Sequence, residues 1–172
     1  MNTIYRYFLI LIACASLLLG IQAPNFVDQY EKRVDAHLLE VESNLKGYQE
    51  IADKFFGGSI AALINKHEQS PDDVFRAEAK PIRIIFERHQ HLKNEKLSLE
   101  TGLTGKLAFI AYKGDRQLVN ETLAAYSFTV PLNGSAVSAG FIFMAIVVLA
   151  IELLRIAVLK LFGSSRRSAN HA

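Results

Sequence analysis

Cysteine is almost missing from this 172-residue chain. With Cys14 alone, no internal disulfide can form, and cysteine usage says nothing about the redox state of the compartment. An excess of charge of one sign is missing too, since 19 Lys and Arg stand against 17 Asp and Glu. Residues Gln22 to Pro131 hold 14 basic and 16 acidic side chains, so the slight basic balance belongs to Arg6, Arg155, Lys160, Arg166 and Arg167 in the apolar ends. A nucleic-acid footprint needs Lys and Arg gathered on one folded face, and that class is disfavoured. The chain also lacks low-complexity linkers, internal repeats and more than a few strand signals. An all-α reading follows.

Long hydrophobic runs are present at both ends. Ile4 to Ala23 and Leu132 to Ile151 each supply roughly 20 apolar residues, enough for a helix to cross a hydrocarbon core of about 30 Å. Arg6 precedes the first run and Lys160, Arg166 and Arg167 follow the second, so the positive-inside rule predicts both termini on the cytoplasmic side of an inner, plasma membrane. The central segment is then periplasmic or extracellular. Tyr5, Tyr7 and Phe8 suit an interfacial aromatic belt, and each tail cation can add about 1 kcal/mol of attraction to anionic membrane lipids. Cleavage of the first run as a signal peptide is disfavoured, because Pro24 would follow the cut and Ile21 would sit at its −3 position. Leu11-Ile12-Ala13-Cys14 resembles a lipoprotein box, but the apolar run continues past it.

The expected organisation is a transmembrane helix at 1–23, an extracytoplasmic helical domain at 24–131, a transmembrane helix with its extension at 132–162, and a basic tail at 163–172. Small residues recur at four-residue spacing in both spans, Ser16 with Gly20 and Ala136 with Gly140. Such pairs let membrane helices approach closely; an antiparallel arrangement would bring Gly20 to Ala136 and Ser16 to Gly140. Glu152 interrupts the second run. Counted inward it lies near the cytoplasmic interface, where pairing with Arg155 or Arg6 is the expected role rather than ion transport.

Helical periodicity dominates the middle. Val27, Val34, Val41, Tyr48 and Phe55 recur every seven residues, flanked by Leu38, Leu45 and Ala52, which makes an apolar helix-contact stripe roughly 45 Å long. Pro24 fits a first turn or kink, Gly57-Gly58 fits a left-handed stop, and Ser59 can cap a short helix from Ile60 to Lys66. Ser70, Pro71, Asp72 and Asp73 read as cap, first position and acidic first turn of another helix, which Pro81 should bend or break. Beyond it, Ile82, Ile85, His89, Leu92 and Leu99 form a second stripe. Helices at Gly105 to Tyr112 and Arg116 to Tyr126, the latter capped by Asp115, complete an antiparallel helical bundle.

The chemical motifs fail on inspection. Glu87, His91 and Glu95 share a helical face, but a solvated polar face explains them better than a metal site. His37 with Glu40 reverses the order used by carboxylate-bridged metal bundles. Gly57-Gly58-Ser59-Ile60-Ala61 has a helix where a nucleophile elbow needs a strand. Gly102 to Leu107 lacks both the leading glycine and the hydroxyl of a phosphate loop. No catalytic residue, cofactor or metal is therefore assigned, and a non-enzymatic role is expected.

Pro24-Asn25-Phe26-Val27-Asp28-Gln29-Tyr30, then Ile51-Ala52-Asp53, Phe56-Gly57-Gly58 and Val130-Pro131-Leu132, together resemble a bacterial family catalogued as domain of unknown function 2937. The resemblance covers nearly the whole chain. It implies a bacterial inner-membrane protein and carries over no functional residues. The expected function is an accessory or scaffolding protein of the envelope, meeting itself as a homo-oligomer or a protein partner through its helices. The alternative is a ligand-sensing helical module that works with a separate transducer.

Overall fold

The computed structural model describes residues 3–131 and 133–168, and all regular structure among them is helical. Six helices follow in order: α1 Thr3–Phe55, α2 Ile60–Glu68, α3 Asp73–Ser98, α4 Leu103–Tyr112, α5 Arg116–Ala124 and α6 Gly134–Ser168. Leu132, the expected first residue of the second apolar run, lies outside the described residues, as do positions 169–172 of the tail and the side chains of Arg166 and Arg167. The chain divides into two compact units, Met1–Phe26 with Ser127–Ala172, and Val27–Tyr126.

In the first unit, α1 and the Gly134–Lys160 stretch of α6 are each long and apolar enough to cross a membrane. Few of their large side chains are buried: Leu11, Leu19, Ile142, Ile146 and Leu149 are all well exposed. The start of α6 is fixed locally. Asn133 Oδ1 accepts from the Ala136 amide at 2.8 Å, satisfying one of the donors that a helix start leaves open. Asn25, itself buried, donates from Nδ2 to the carbonyls of Ser127 at 3.0 Å and Thr129 at 3.2 Å, which holds the irregular segment before α6. Pro24 lies within α1 and the helix continues through it. The missing amide costs one backbone bond, but Ile21 and Val27 on either side are both buried.

In the second unit the buried row of α1 is Val27, Tyr30, Val34, Leu38, Val41, Leu45 and Ala52. Tyr48 is only half-buried and Phe55 is 66% exposed, so the seven-residue stripe does not stay on the core. Each seven-residue step on a straight helix falls about 20° short of two turns, and four such steps rotate the row by about 80°. Leu45, about five full turns after Val27, returns to its angle and takes the place of Tyr48.

α3 runs back along α1 in the opposite direction, as its ion pairs show: Asp35 meets Lys96 at 2.7 Å, and Glu42 meets His89 at 3.7 Å. Its buried side is Ala79, Ile82, Leu92, Glu95 and, just past its end, Leu99. Pro81 neither bends the chain out of helix nor ends it. Burial of Ala79 and Ile82 on either side holds the helical path that the proline ring weakens. The cap of α3 also differs from expectation. Asp72, not Ser70, accepts from the Val74 amide at 2.8 Å, while Ser70 Oγ accepts from the Asp72 amide at 3.2 Å. Pro71 disfavours helical backbone at Ser70, so a turn intervenes before the helix starts. Gly57 and Gly58 take φ of 59° and 85°, the left-handed stop after α1, and Ser59 accepts from the Ala62 amide at 3.2 Å.

Candidate functional site

The first unit contains the residues singled out for span packing. Ser16, Gly20, Ala136 and Gly140 are all buried. A methyl group added to Gly20 would come within 2.9 Å of the Gly140 Cα, and one added to Gly140 within 2.9 Å of the Leu17 carbonyl oxygen. Gly20 thus faces Gly140, one turn away from the expected Ala136. Two facing glycines permit a closer backbone approach than glycine against alanine, which favours this register.

Glu152 is paired from two directions. Its Oε2 accepts from Arg155 Nη1 at 3.1 Å, and its Oε1 accepts from the Tyr5 hydroxyl at 2.9 Å. The Arg155 guanidinium also lies 4.6 Å from the centre of the Tyr5 ring. Arg6, one of the two expected partners, is exposed and takes no part. Neighbouring helical positions point about 100° apart, so Tyr5 and Arg6 cannot both face α6.

The second unit carries a groove of about 890 Å³. It is lined by Leu39, Glu42, Lys46, Gln49, Glu50 and Asp53 of α1, by Phe86 and His89 of α3, and by Gly58 to Ala61. From Leu39 to Asp53 the α1 wall rises about 21 Å at helical pitch. Leu45 and Ile60 form its buried floor. Gln49 Nε2 donates to Asp53 Oδ1 at 2.7 Å and to the Gly58 carbonyl at 3.0 Å, tying the wall to the left-handed turn. Lys46 and Glu50 make no ion pair among the described residues.

Beneath α1, α3 and α5 lies a buried polar contact that includes Glu95, whose shared face with Glu87 and His91 reads as solvated. Tyr30 is wholly buried and Glu95 is 4% exposed. The Tyr30 hydroxyl donates to Glu95 Oε1, and the Asp115 amide reaches both oxygens at 3.1 Å. Burial, and then the Glu95 carboxylate, push the Tyr30 hydroxyl far above its ordinary value. Glu95 stands three residues after Leu92 and four before Leu99, the spacing of a core position, and this was the available signal.

Two of the three residues weighed as metal ligands, His91 and Glu95 of the set with Glu87, have other partners here. Glu95 is committed to Tyr30, and His91 Nε2 meets Asp115 Oδ2 at 2.8 Å. Asp115 also accepts from the amides of Gln117 and Leu118, capping α5. Burial raises its carboxyl, but the His91 and amide bonds outweigh that and hold it below its usual range. His37 meets Glu121 at 2.8 Å instead of building a site with Glu40, which lies 3.7 Å away. Among the described residues, no group of three or more His, Cys, Asp and Glu is arranged to hold a metal ion.

A family model described as protein of unknown function (DUF2937) matches residues 4–164. The match spans most of the chain, and the chain belongs to that family. No curated protein and no solved structure matches it.

Proposed function

We propose that this DUF2937 member is a two-span inner-membrane protein whose Val27–Tyr126 unit is extracytoplasmic and works as a non-enzymatic accessory or scaffold, through helix-mediated contacts with a second copy or an envelope protein. The observation that carries the reading is the inverted distribution of side chains in the first unit. Small residues are buried there while large apolar ones face outward, the pattern expected where lipid is the solvent. In the second unit, Val74, Phe75, Ile84, Leu97 and Tyr112 are large, apolar and uncovered, which supports a protein-contact role.

Two measurements test this. An alkaline phosphatase fusion after Lys66 should be active and a cytosolic reporter at the same place silent; the reverse result removes the topology. In-membrane crosslinking from positions 75 and 84 should yield a discrete higher-mass product. Recovery of the monomer alone, with no partner enriched, removes the scaffold.

A second reading is favoured by the groove along α1. Its volume falls within the range of about 300–1,000 Å³ found for small-molecule sites, so the unit can serve as a ligand-sensing module for a separate transducer.

A further inference from the structure

We infer that the groove along α1 binds a linear aliphatic polyamine. The inference rests on the ligand-sensing reading and specifies its ligand by shape and charge. The residues of α1 that line the groove, from Leu39 to Asp53, extend over about 21 Å of helix, a reach that suits an extended chain better than a compact ring. The groove floor is apolar at Leu45 and Ile60, and Phe86 adds an aromatic face from α3. Its rim carries Glu42, Glu50 and Asp53 against the ammonium of Lys46; His89 stands 3.7 Å from Glu42 and Gln49 donates to Asp53, so Glu50 is the carboxylate with no side-chain partner among the described residues.

The carboxylates are spread along the wall. Glu42 and Glu50 are separated by about 12 Å of helix rise, and Asp53 lies a further turn or so along. A polyamine presents ammonium groups divided by short methylene runs, which places charge at the rim and hydrocarbon over the floor. A simple divalent cation offers the charge without the reach. An anionic amphiphile fits the floor but meets the wrong rim.

Lys46 gives the proposal a sign that a generic acidic surface would not predict. It stands one turn from Glu42 and one turn from Glu50 on the same wall, yet closes an ion pair with neither. Its ammonium stands on the same wall as the carboxylates and would repel a ligand ammonium there. Removing it should therefore strengthen binding.

The test is calorimetric titration of the full chain in detergent with spermidine at low ionic strength, beside magnesium and a neutral diol of matched length. Spermidine should bind saturably with one-to-one stoichiometry, more tightly than magnesium, and the diol should give no heat. Glu42→Gln and Glu50→Gln should each weaken binding by roughly 2- to 5-fold, the scale of one exposed ion pair, and Lys46→Gln should tighten it. These positions lie on the groove rim, and helical circular dichroism checks that the variants fold. Spermidine that fails to saturate, binds no better than magnesium, or is unaffected by both glutamate substitutions overturns the proposal. Saturable binding of the diol without spermidine overturns the polyamine while leaving a ligand site in the groove. Heat from none of the three overturns the polyamine, and a wider ligand screen that also finds no saturable binder removes the sensing reading.

Discussion

The Tyr30 hydroxyl and the Glu95 carboxylate are bonded to each other inside the Val27–Tyr126 unit, and the Asp115 amide donates to both. Three helices are thereby joined at one buried point: α1 through Tyr30, α3 through Glu95, and α5 through its cap. Tyr30→Phe deletes the hydroxyl and leaves a buried carboxylate with one donor fewer. A loss of about 1–3 kcal/mol is expected, read as a lower denaturation midpoint. Tyr30→Phe combined with Glu95→Leu removes both polar groups and should recover part of that loss. A double variant that is less stable than the two single losses added together would refute this account of the pair.

Gly20 and Gly140 allow the two apolar helices of the first unit to meet at backbone distance. Gly140→Leu must push against Ile21 and Leu17, and overpacking of this kind typically costs about 1–3 kcal/mol. Gly47, with open space around its α carbon, is the internal control. Gly47→Ala should be neutral or stabilising by about 0.5–1 kcal/mol, because alanine has the better helix propensity. Melting in detergent compares the two, and equal effects would remove the close approach.

Local signals in the sequence were legible where one residue suffices to fix the backbone. Gly57-Gly58, Ser59 and Asp115 stop or start helices as their chemistry dictates, and the two apolar runs coincide with helices long enough to span a membrane. The failures needed information from another part of the chain. Phe55 left the core because a seven-residue repeat drifts on a straight helix. Pro81 stayed helical because its neighbours are buried, which propensity does not see. Arg6 lost its role to Tyr5 because only one of two adjacent positions can face α6. Glu95 shares a helical face with Glu87 and His91, which reads as solvated, yet it also stands between two core leucines and is buried.

Acid should weaken the second unit through two carboxyls. Asp115 is held below its usual range because the bonds from His91 and the α5 amides exceed the opposing effect of burial. Glu121 is lowered by its bond to His37 and then by Gln117. A carboxyl with a depressed folded value contributes stability that is complete above its unfolded value, about 4, and is lost as pH falls through the folded value. The melting temperature should accordingly hold through neutral pH and fall below about pH 4. Asp115→Asn and Glu121→Gln should each lower it at neutral pH and flatten the acid limb. A variant with the same acid limb as the parent would acquit that residue.

Tyr5, Glu152 and Arg155 join the outer parts of α1 and α6 by a bond across the helices and a cation over a ring. Tyr5→Phe keeps the ring under Arg155 and removes only the hydroxyl, whereas Tyr5→Leu removes both. The loss of melting temperature should therefore rise from Tyr5→Phe to Tyr5→Leu. Arg155→Lys should fall between parent and Arg155→Ala, because an ammonium keeps the charge but not the planar fork that lies over the ring. Glu152→Ala removes the acceptor for Tyr5, so combining it with Tyr5→Phe should be less than additive. Strict additivity in that double-mutant cycle would show that the two side chains act independently, and the clamp would then have no energetic content.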